Sequence, residues 1–151
     1  MCIRDRDCEV TRVGVRSVRV EGGQFLVNDV PVEIRGVNRH EHDESLGKYT
    51  DLKSMVLDIE LMKQLNMNAV RACHYPNRNL WYALCDAYGL YVCDEANIES
   101  HGLVLTGNEN RLAADPSWKH VFLDRMSRMV CLLYTSPSPR DATLSRMPSS
   151  A

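Results

Sequence analysis

The stretch "NAVRACHYPNRNLWYALCDAYGLYVCDEA", residues 68–96, contains the pattern that decides the fold. Its first part is a short apolar run that stops at Pro76, and a helical segment follows with Gly89 at the position of a C-cap. A second apolar run, "LYVC", then precedes two acidic residues. A strand, a helix and a strand in this order predict parallel strands joined by a right-handed crossover.

The same alternation continues on both sides of this stretch. Upstream, "VPVEIRGVN" predicts a strand at residues 32–37, and "TDLKSMVLDIELMKQLN" predicts a helix with Thr50 or Asp51 as its N-cap. The apolar positions of that helix recur at helical spacing: Met55, Ile59, Met62 and Leu65 or Asn66. Downstream, "DPSWKHVFLDRMSRMV" predicts a third helix with Asp115 as N-cap and Pro116 at its first position. Three strand–helix pairs predict an α/β chain, built as a doubly wound sheet or an eightfold barrel.

Before these pairs, the sequence alternates as strands do. "VGVRSVRV" is joined to "QFLV" through "EGG", and "ND" marks a second turn, so residues 13–28 predict a β-hairpin region. The composition, 44% hydrophobic and 25% charged, is typical of a soluble globular protein. A net charge of -2 with scattered basic residues argues against nucleic acid as a partner. No apolar run is long enough to span a membrane, and the first residues lack a signal-peptide pattern, which favours the cytoplasm.

The six cysteines form no CxxC pair, which argues against a zinc ribbon or a redox motif. Three of them, Cys73, Cys85 and Cys93, lie in apolar stretches, where buried thiols behave as small hydrophobic side chains. Free buried thiols are typical of a reducing compartment.

The two ends of the chain are related at the level of DNA. The reverse complement of a coding sequence for "MCIRD" at the start, shifted by one base, reads "CLLYT", which is the sequence at residues 131–135. We therefore expect residues 1–6 and 131–151 to be translated sequencing-adapter sequence and not native protein.

Polar clusters follow each predicted strand: "NRHEH", "CHYPN" and "DEANIESH". In parallel α/β folds, chemistry is found at the carboxyl ends of the strands, so these clusters predict one shared site. Here His74 is the strongest candidate, because a polar side chain at the end of a buried strand needs a partner. Two further histidines, His40 and His42, flank Glu41. Their spacing is compatible with a pair of metal ligands and equally with solvated loop residues. No Gly-rich phosphate motif follows any strand.

The third cluster contains three acids. Adjacent strand residues point to opposite faces, so Asp94 and Glu95 cannot form a catalytic pair with each other, and one of them is expected to bind Arg71 or to cap the loop. Two residues apart, Glu99 and His101 have donor atoms that suit several divalent metals. The spacing alone does not choose among these metals.

The motifs "IRGVNRHEH", "NAVRACHYPN" and "LWYALCDAYGLYVCDEANIESHG" together resemble the central barrel domain of the beta-galactosidases in glycoside hydrolase family two, over nearly all of residues 13–130. Sister activities usually depart after "DE", so the continuation "ANIESHG" favours a galactosidase. Two departures from the family pattern are "VGVR" for "VGFR" and "RAC" for the commoner "RCS" or "RTS".

The resemblance implies a partial (β/α)8 TIM barrel, consisting of its first three βα units preceded by a short β-hairpin region. Residues 7–16 would end a preceding β-sandwich domain, and residues 17–130 would form the N-terminal part of the barrel.

The resemblance also implies a function, hydrolysis of terminal β-D-galactosides such as lactose with retention of configuration. The sugar and its transition state would be bound by His40 and His74, and Mg²⁺ by Glu99 and His101, with Na⁺ a further cation of the full enzyme. Because the acid/base and the nucleophile would lie beyond residue 130, the isolated chain is expected to be inactive. The full enzyme would be a homo-oligomer. Two alternatives stay open: a non-catalytic sugar- or metal-binding module, and a family-two beta-glucuronidase or beta-mannosidase.

Overall fold

The computed structural model describes residues 14–107 and 111–135. The expected adapter segment at residues 1–6 lies outside the described residues, as does most of the segment at 131–151 and the first part of the expected sandwich segment at 7–16. None of the helices in the described part of the chain is long and apolar enough to cross a membrane.

The first elements in the described part of the chain form a three-stranded antiparallel sheet. Its strands are Val18–Glu21 (β1), Gln24–Val27 (β2) and Val30–Pro31 (β3). Two-residue turns join them, Gly22-Gly23 and Asn28-Asp29, and all four residues have positive φ. Positive φ at both central positions is the geometry that matches the twist of a hairpin, and glycine, asparagine and aspartate adopt it most readily.

A second sheet is parallel and contains three strands in the order β4-β5-β6. These strands are Gly36–Arg39 (β4), Ala69–Ala72 (β5) and Tyr91–Cys93 (β6), and the helices Leu52–Gln64 (α1) and Asn79–Tyr88 (α2) connect them. Alternating strands and helices thus form a mixed α/β chain, consistent with part of a TIM-barrel domain.

The first parallel strand begins later than the sequence predicted. The predicted bounds, 32–37, are wrong because the amide of Val32 still pairs with the carbonyl of Phe25 in the antiparallel sheet. Parallel pairing starts at Gly36, opposite Ala69. A Cβ at Gly36 would lie 3.1 Å from both the Cβ and the carbonyl oxygen of Ala69, so only glycine fits this close approach without a shift.

Both crossover helices have the caps that the sequence predicts. The side chain of Asp51 accepts a hydrogen bond from the amide of Ser54 at 2.8 Å, which caps α1. At the end of α2, Gly89 is left-handed with φ of 69°. Along α1, Met55, Ile59 and Met62 are buried as predicted. The prediction for Leu65 is wrong, because it is the C-cap of α1 and is 60% exposed.

The core lies between the two crossover helices and one face of the parallel sheet. Its buried members are Met55, Ile59, Met62, Val70, Trp81, Tyr82, Cys85 and Leu90. Two of the three thiols expected to be buried, Cys73 and Cys85, are buried. The expectation for Cys93 is wrong: this thiol is exposed, because it is the last residue of β6, at the edge of the described parallel sheet.

The C-terminal part of the described chain is helical. It comprises the 3-10 turn His101–Thr106, the short helix Arg111–Ala114 (α3), the 3-10 turn Pro116–Trp118 and the helix Lys119–Thr135 (α4). Its predicted cap is present, since Asp115 accepts a hydrogen bond from the amide of Ser117 at 2.9 Å. The guanidinium of Arg125 in α4 donates to the carbonyl of Asn97, which holds α4 beside the loop that follows β6.

Candidate active site

Three strand ends bring polar side chains together at one edge of the parallel sheet. Directly after β4 comes His40, two residues after β5 comes His74, and two residues after β6 comes Glu95. The rings of His40 and His74 meet edge to face with centroids 5.2 Å apart. A carboxylate oxygen of Glu95 lies 3.3 Å from Nδ1 of His74. The convergence predicted from the sequence is therefore present in the structure.

A network of three residues, Arg71, His74 and Glu95, forms the centre of this edge. The Nε of Arg71 donates to one oxygen of Glu95 at 2.6 Å, while Nη2 lies 3.3 Å from Nδ1 of His74. The sequence predicted an ion pair for Arg71 as a buried residue, but its side chain is 37% exposed. The hydrogen bond from Arg71 holds the pKa of Glu95 below its usual value, and His74 acts in the same direction. This carboxyl is therefore an anion at neutral pH.

The neighbouring acid, Asp94, has a different environment. It accepts a hydrogen bond at 2.9 Å from the hydroxyl of Tyr82, which in turn accepts one from the amide of Asn77 at 2.7 Å. Burial raises the pKa of Asp94, although the bond from Tyr82 opposes this. Burial also raises the pKa of the Tyr82 hydroxyl, which stays protonated and remains a donor. The two adjacent acids thus have different partners, although both follow β6 and do not lie within the strand, where the sequence had predicted them.

The side chains expected to bind magnesium lie in the loop after β6. One oxygen of Glu99 accepts a hydrogen bond from the backbone amide of His101 at 2.9 Å. Its other oxygen lies 3.7 Å from Nδ1 of His74. Both Glu99 and His101 are exposed. Carboxylate oxygen is a donor that a hard divalent cation prefers, so Glu99 fits a magnesium ion, while the imidazole of His101 suits a wider range of divalent metals. The contact of Glu99 with His74 joins this loop to the network.

A set of potential metal ligands that the sequence did not predict lies at the same edge. Among residues 14–107 and 111–135, the donor atoms of His40, Cys73 and His74 lie within 4.8 Å of one another. Sequence reasoning assigned Cys73 to the core, and its thiol is indeed 1% exposed. The one sequence feature that could have indicated a metal-binding role for Cys73 is its position immediately before His74. The other candidate histidine, His42, is exposed, and its amide donates to the carbonyl of His40 at 2.9 Å.

A cavity of about 340 Å³ opens beside the network. Three acids and one histidine line it, Asp94, Glu95, Glu99 and His74, and Met126 and Met129 of α4 form part of its wall. Pockets of this size with a few polar groups and apolar walls are typical of small-molecule sites.

A second polar network lies under the sheet and was not predicted. The side chain of Arg39, at the end of β4, is buried. Its Nε donates to Asp58 on α1 at 2.8 Å, and its Nη1 donates to Asn77 at 3.1 Å. The guanidinium carbon lies 3.6 Å from the centre of the Trp81 ring on α2. The sequence does not show which face of a sheet a strand residue occupies. The pattern "NRHE" was therefore equally compatible with a buried strand arginine and with an exposed loop arginine at position 39.

The strand-end site and the alternating topology are consistent with part of a TIM-barrel domain. The family model described as "Glycosyl hydrolases family 2, TIM barrel domain" matches residues 18–138, and the chain belongs to this family.

Individual relatives carry two activities in their names. The chain is 53% identical over 132 residues to a beta-galactosidase of Photobacterium profundum, a match that covers 87% of this chain and 12% of that relative. Among solved structures, the apo beta-glucuronidase of Ruminococcus gnavus is 37% identical with a TM-score of 0.52, covering 55% of this chain and 14% of that one. A beta-D-glucuronidase structure for Dictyoglomus thermophilum is 38% identical with the same TM-score and coverage.

Proposed function

We propose that this chain is part of a retaining glycosidase that releases terminal β-D-galactose from β-galactosides such as lactose. Within that enzyme, the chain would supply the first three βα units of a (β/α)8 barrel and the hairpin region before them. One observation carries the proposal: His40, His74 and Glu95 meet at the carboxyl ends of three parallel strands. This edge is where TIM barrels place their chemistry.

We assign the sugar contacts to His40 and His74. Their imidazoles can donate hydrogen bonds to hydroxyl groups, and donors that strengthen their bonds in the transition state accelerate glycoside cleavage. The ring of His74 is oriented by Glu95, which is itself held by Arg71. A ring that is already oriented loses little entropy when it binds the sugar.

We assign the Mg²⁺ ligands to Glu99 and His101. The exposed carboxylate of Glu99, close to His74, supports this proposal, because a cation held there would lie beside the sugar-binding histidines. When bound, such a cation would supply a fixed positive charge next to the reacting sugar. Further ligands would come from the rest of the enzyme.

The reacting carboxylates are proposed to belong to the rest of the enzyme. Within the described site, Glu95 is bound to Arg71 and is poorly suited to donate a proton because its pKa is lowered. The neighbouring Asp94 has one oxygen bound to Tyr82 and the other buried. The isolated chain would therefore bind sugar weakly and hydrolyse none. The buried thiol of Cys73, which forms no disulfide, supports a reducing compartment, and we place the enzyme in the cytoplasm.

A glucuronide is the second candidate substrate, because the glucuronidase structures share the fold. Two observations favour the neutral sugar. The cavity is lined by three acids, which would repel a uronate, and the guanidinium of Arg71 is already paired with Glu95. In addition, identity to the beta-galactosidase relative is 53%, against 37–38% for the two glucuronidase structures described above.

The test uses the whole reading frame from which this chain derives. The full enzyme should hydrolyse p-nitrophenyl β-D-galactoside with a kcat/KM at least ~100-fold above that for the matching glucuronide, because a site shaped for one polar group rejects another strongly. Changing His40→Ala or His74→Ala should each lower kcat about 100-fold, the usual cost of one transition-state hydrogen-bond donor. The matched control is His42→Ala, which should keep wild-type activity. Preference for the glucuronide would contradict the proposal, and a reading frame without the two carboxylates would support a binding module instead.

A further inference from the structure

The proposed roles leave one feature of the site unused, which is the closeness of the Cys73 thiol to His40 and His74. It comes from the ends of two adjacent strands, β4 and β5, and its donor atoms all lie within 4.8 Å of one another. Ligands of a tetrahedral zinc ion are ~3.3–3.8 Å apart, given bond lengths of about 2.0–2.3 Å. A small closure of side chains would bring the three donors to that spacing.

The orientation of His74 prepares it as a ligand. Its Nδ1 lies 3.3 Å from a carboxylate oxygen of Glu95. When Nδ1 carries the proton and donates to this carboxylate, the lone pair of Nε2 is free for a metal. Histidine ligands in metalloproteins usually donate their second N–H to a carboxylate in this way, which fixes the ring and makes it a stronger base.

The donor atoms select the class of metal. One thiol and two imidazoles form a set that zinc and similar thiophilic ions prefer, whereas magnesium and calcium prefer oxygen. We propose that His40, Cys73 and His74 bind one Zn²⁺, with a water molecule as the fourth ligand. This site is separate in its chemistry from the proposed magnesium ligands, Glu99 and His101. The sequence Ala72-Cys73-His74 places a thiol immediately before one of the two histidines.

The site has a consequence for sugar binding. Because His40 and His74 are also the proposed sugar contacts, zinc and galactoside would exclude each other, and zinc would inhibit the full enzyme competitively. This consequence rests on the proposed function, whereas zinc binding itself rests only on the cluster. Zinc binding without inhibition would leave the site standing and would contradict the assigned sugar contacts.

The site is tested by metal titration of this chain. The starting protein carries serine in place of the four cysteines other than Cys73 and Cys85: Cys2, Cys8, Cys93 and Cys131. Titration with Co²⁺, which reports a thiolate ligand through a charge-transfer absorption band, and competition with Zn²⁺ against a chromophoric chelator should show one site per chain. Cys73→Ser should abolish the band and weaken Zn²⁺ binding by about 100-fold or more.

A second variant removes a ligand without disturbing the core. Since His40 is exposed, His40→Gln should fold normally and weaken Zn²⁺ binding by ~10–100-fold. The matched control is His42→Gln, an exposed histidine two residues away, which should bind like the starting protein. A roughly thousandfold excess of Mg²⁺ should not displace Zn²⁺, because the donors are soft. Absence of Zn²⁺ binding, a band that persists without Cys73, or equal affinities of the two histidine variants would overturn the proposal.

Discussion

Two arginines on neighbouring strands have opposite surroundings. The register pairs Asn38 with Arg71, so Arg39 is offset from Arg71 by one position. Because successive strand residues point to opposite faces, the two guanidinium groups lie on opposite faces of the sheet. The side chain of Arg39 is 4% exposed and faces the helices, while that of Arg71 is 37% exposed and lies at the edge with His74.

The difference shows that one face of the sheet stabilises the fold, while the edge near the other face carries the candidate site. On the helix face, Arg39 is enclosed by Asp58, Asn77 and the ring of Trp81, so it joins both crossover helices to β4. On the other face, Arg71 is bound by Glu95 and remains accessible to a ligand. Removing residues of the first network should therefore unfold the chain, while removing residues of the second should change the site and leave the fold in place.

The largest effect is expected for Trp81, which has no exposed surface. Trp81→Ala removes the centre of the core and the ring over Arg39, and large-to-small changes of this kind cost ~3–5 kcal/mol. Urea unfolding followed by far-ultraviolet circular dichroism measures the loss. The control is the other tryptophan, Trp118, which is 37% exposed, and Trp118→Ala should cost less than ~1 kcal/mol. Equal losses for the two variants would show that the core is not centred on α2.

The next largest loss of stability is expected from replacing one of the two arginines. Arg39→Met keeps the stem but removes two hydrogen bonds and the cation over Trp81, and should lower the free energy of unfolding by about 2 kcal/mol. The partner left behind, Asp58, has a side chain that is 41% exposed, so water compensates part of its lost bond. Arg71→Met should change the unfolding midpoint much less, because water can replace its exposed contacts. If Arg71→Met destabilises the chain as much as Arg39→Met, the two faces do not differ as proposed.

The two networks also differ in how far the sequence predicted them. The strand-end network was foreseen, because His74 and Glu95 follow apolar strands and a charged strand residue such as Arg71 requires an acid. The order of strands and helices, the caps at Asp51 and Gly89, and the apolar stripe of α1 were also predicted from local pattern.

The rest depended on tertiary contacts that no local pattern records. The start of β4 depends on where hydrogen bonding to the antiparallel sheet ends and parallel pairing begins, which is between Val32 and Gly36. Which face Arg39 occupies follows from register, and a shift of one residue would have exchanged it with its neighbours. The closeness of Cys73 to His40 likewise arises from pairing of β4 with β5 and is invisible along the chain.

The smallest expected effect is a difference in pKa between two adjacent residues, Asp94 and Glu95. The hydrogen bond from Arg71 lowers the pKa of Glu95, while burial raises that of Asp94. By linkage, Glu95 stabilises the fold above the usual glutamate pKa of about 4.3, and this contribution is lost as the pH falls through the lowered value. For Asp94 the sign is opposite: its contribution is complete below the usual aspartate pKa of about 3.9 and is lost as the pH rises through the raised value.

Carbon-13 NMR titration of the two carboxyl groups measures this difference directly. The midpoint of Glu95 should lie below that of Asp94, which reverses the order of the free amino acids. Arg71→Met should raise the pKa of Glu95, since its largest lowering cause is removed. Tyr82→Phe should raise the pKa of Asp94 further, because the hydroxyl is the strongest of the bonds that lower it. A common midpoint near pH 4 for both groups would mean that the environments of these two adjacent acids, one beside Tyr82 and the other beside His74, are not distinct.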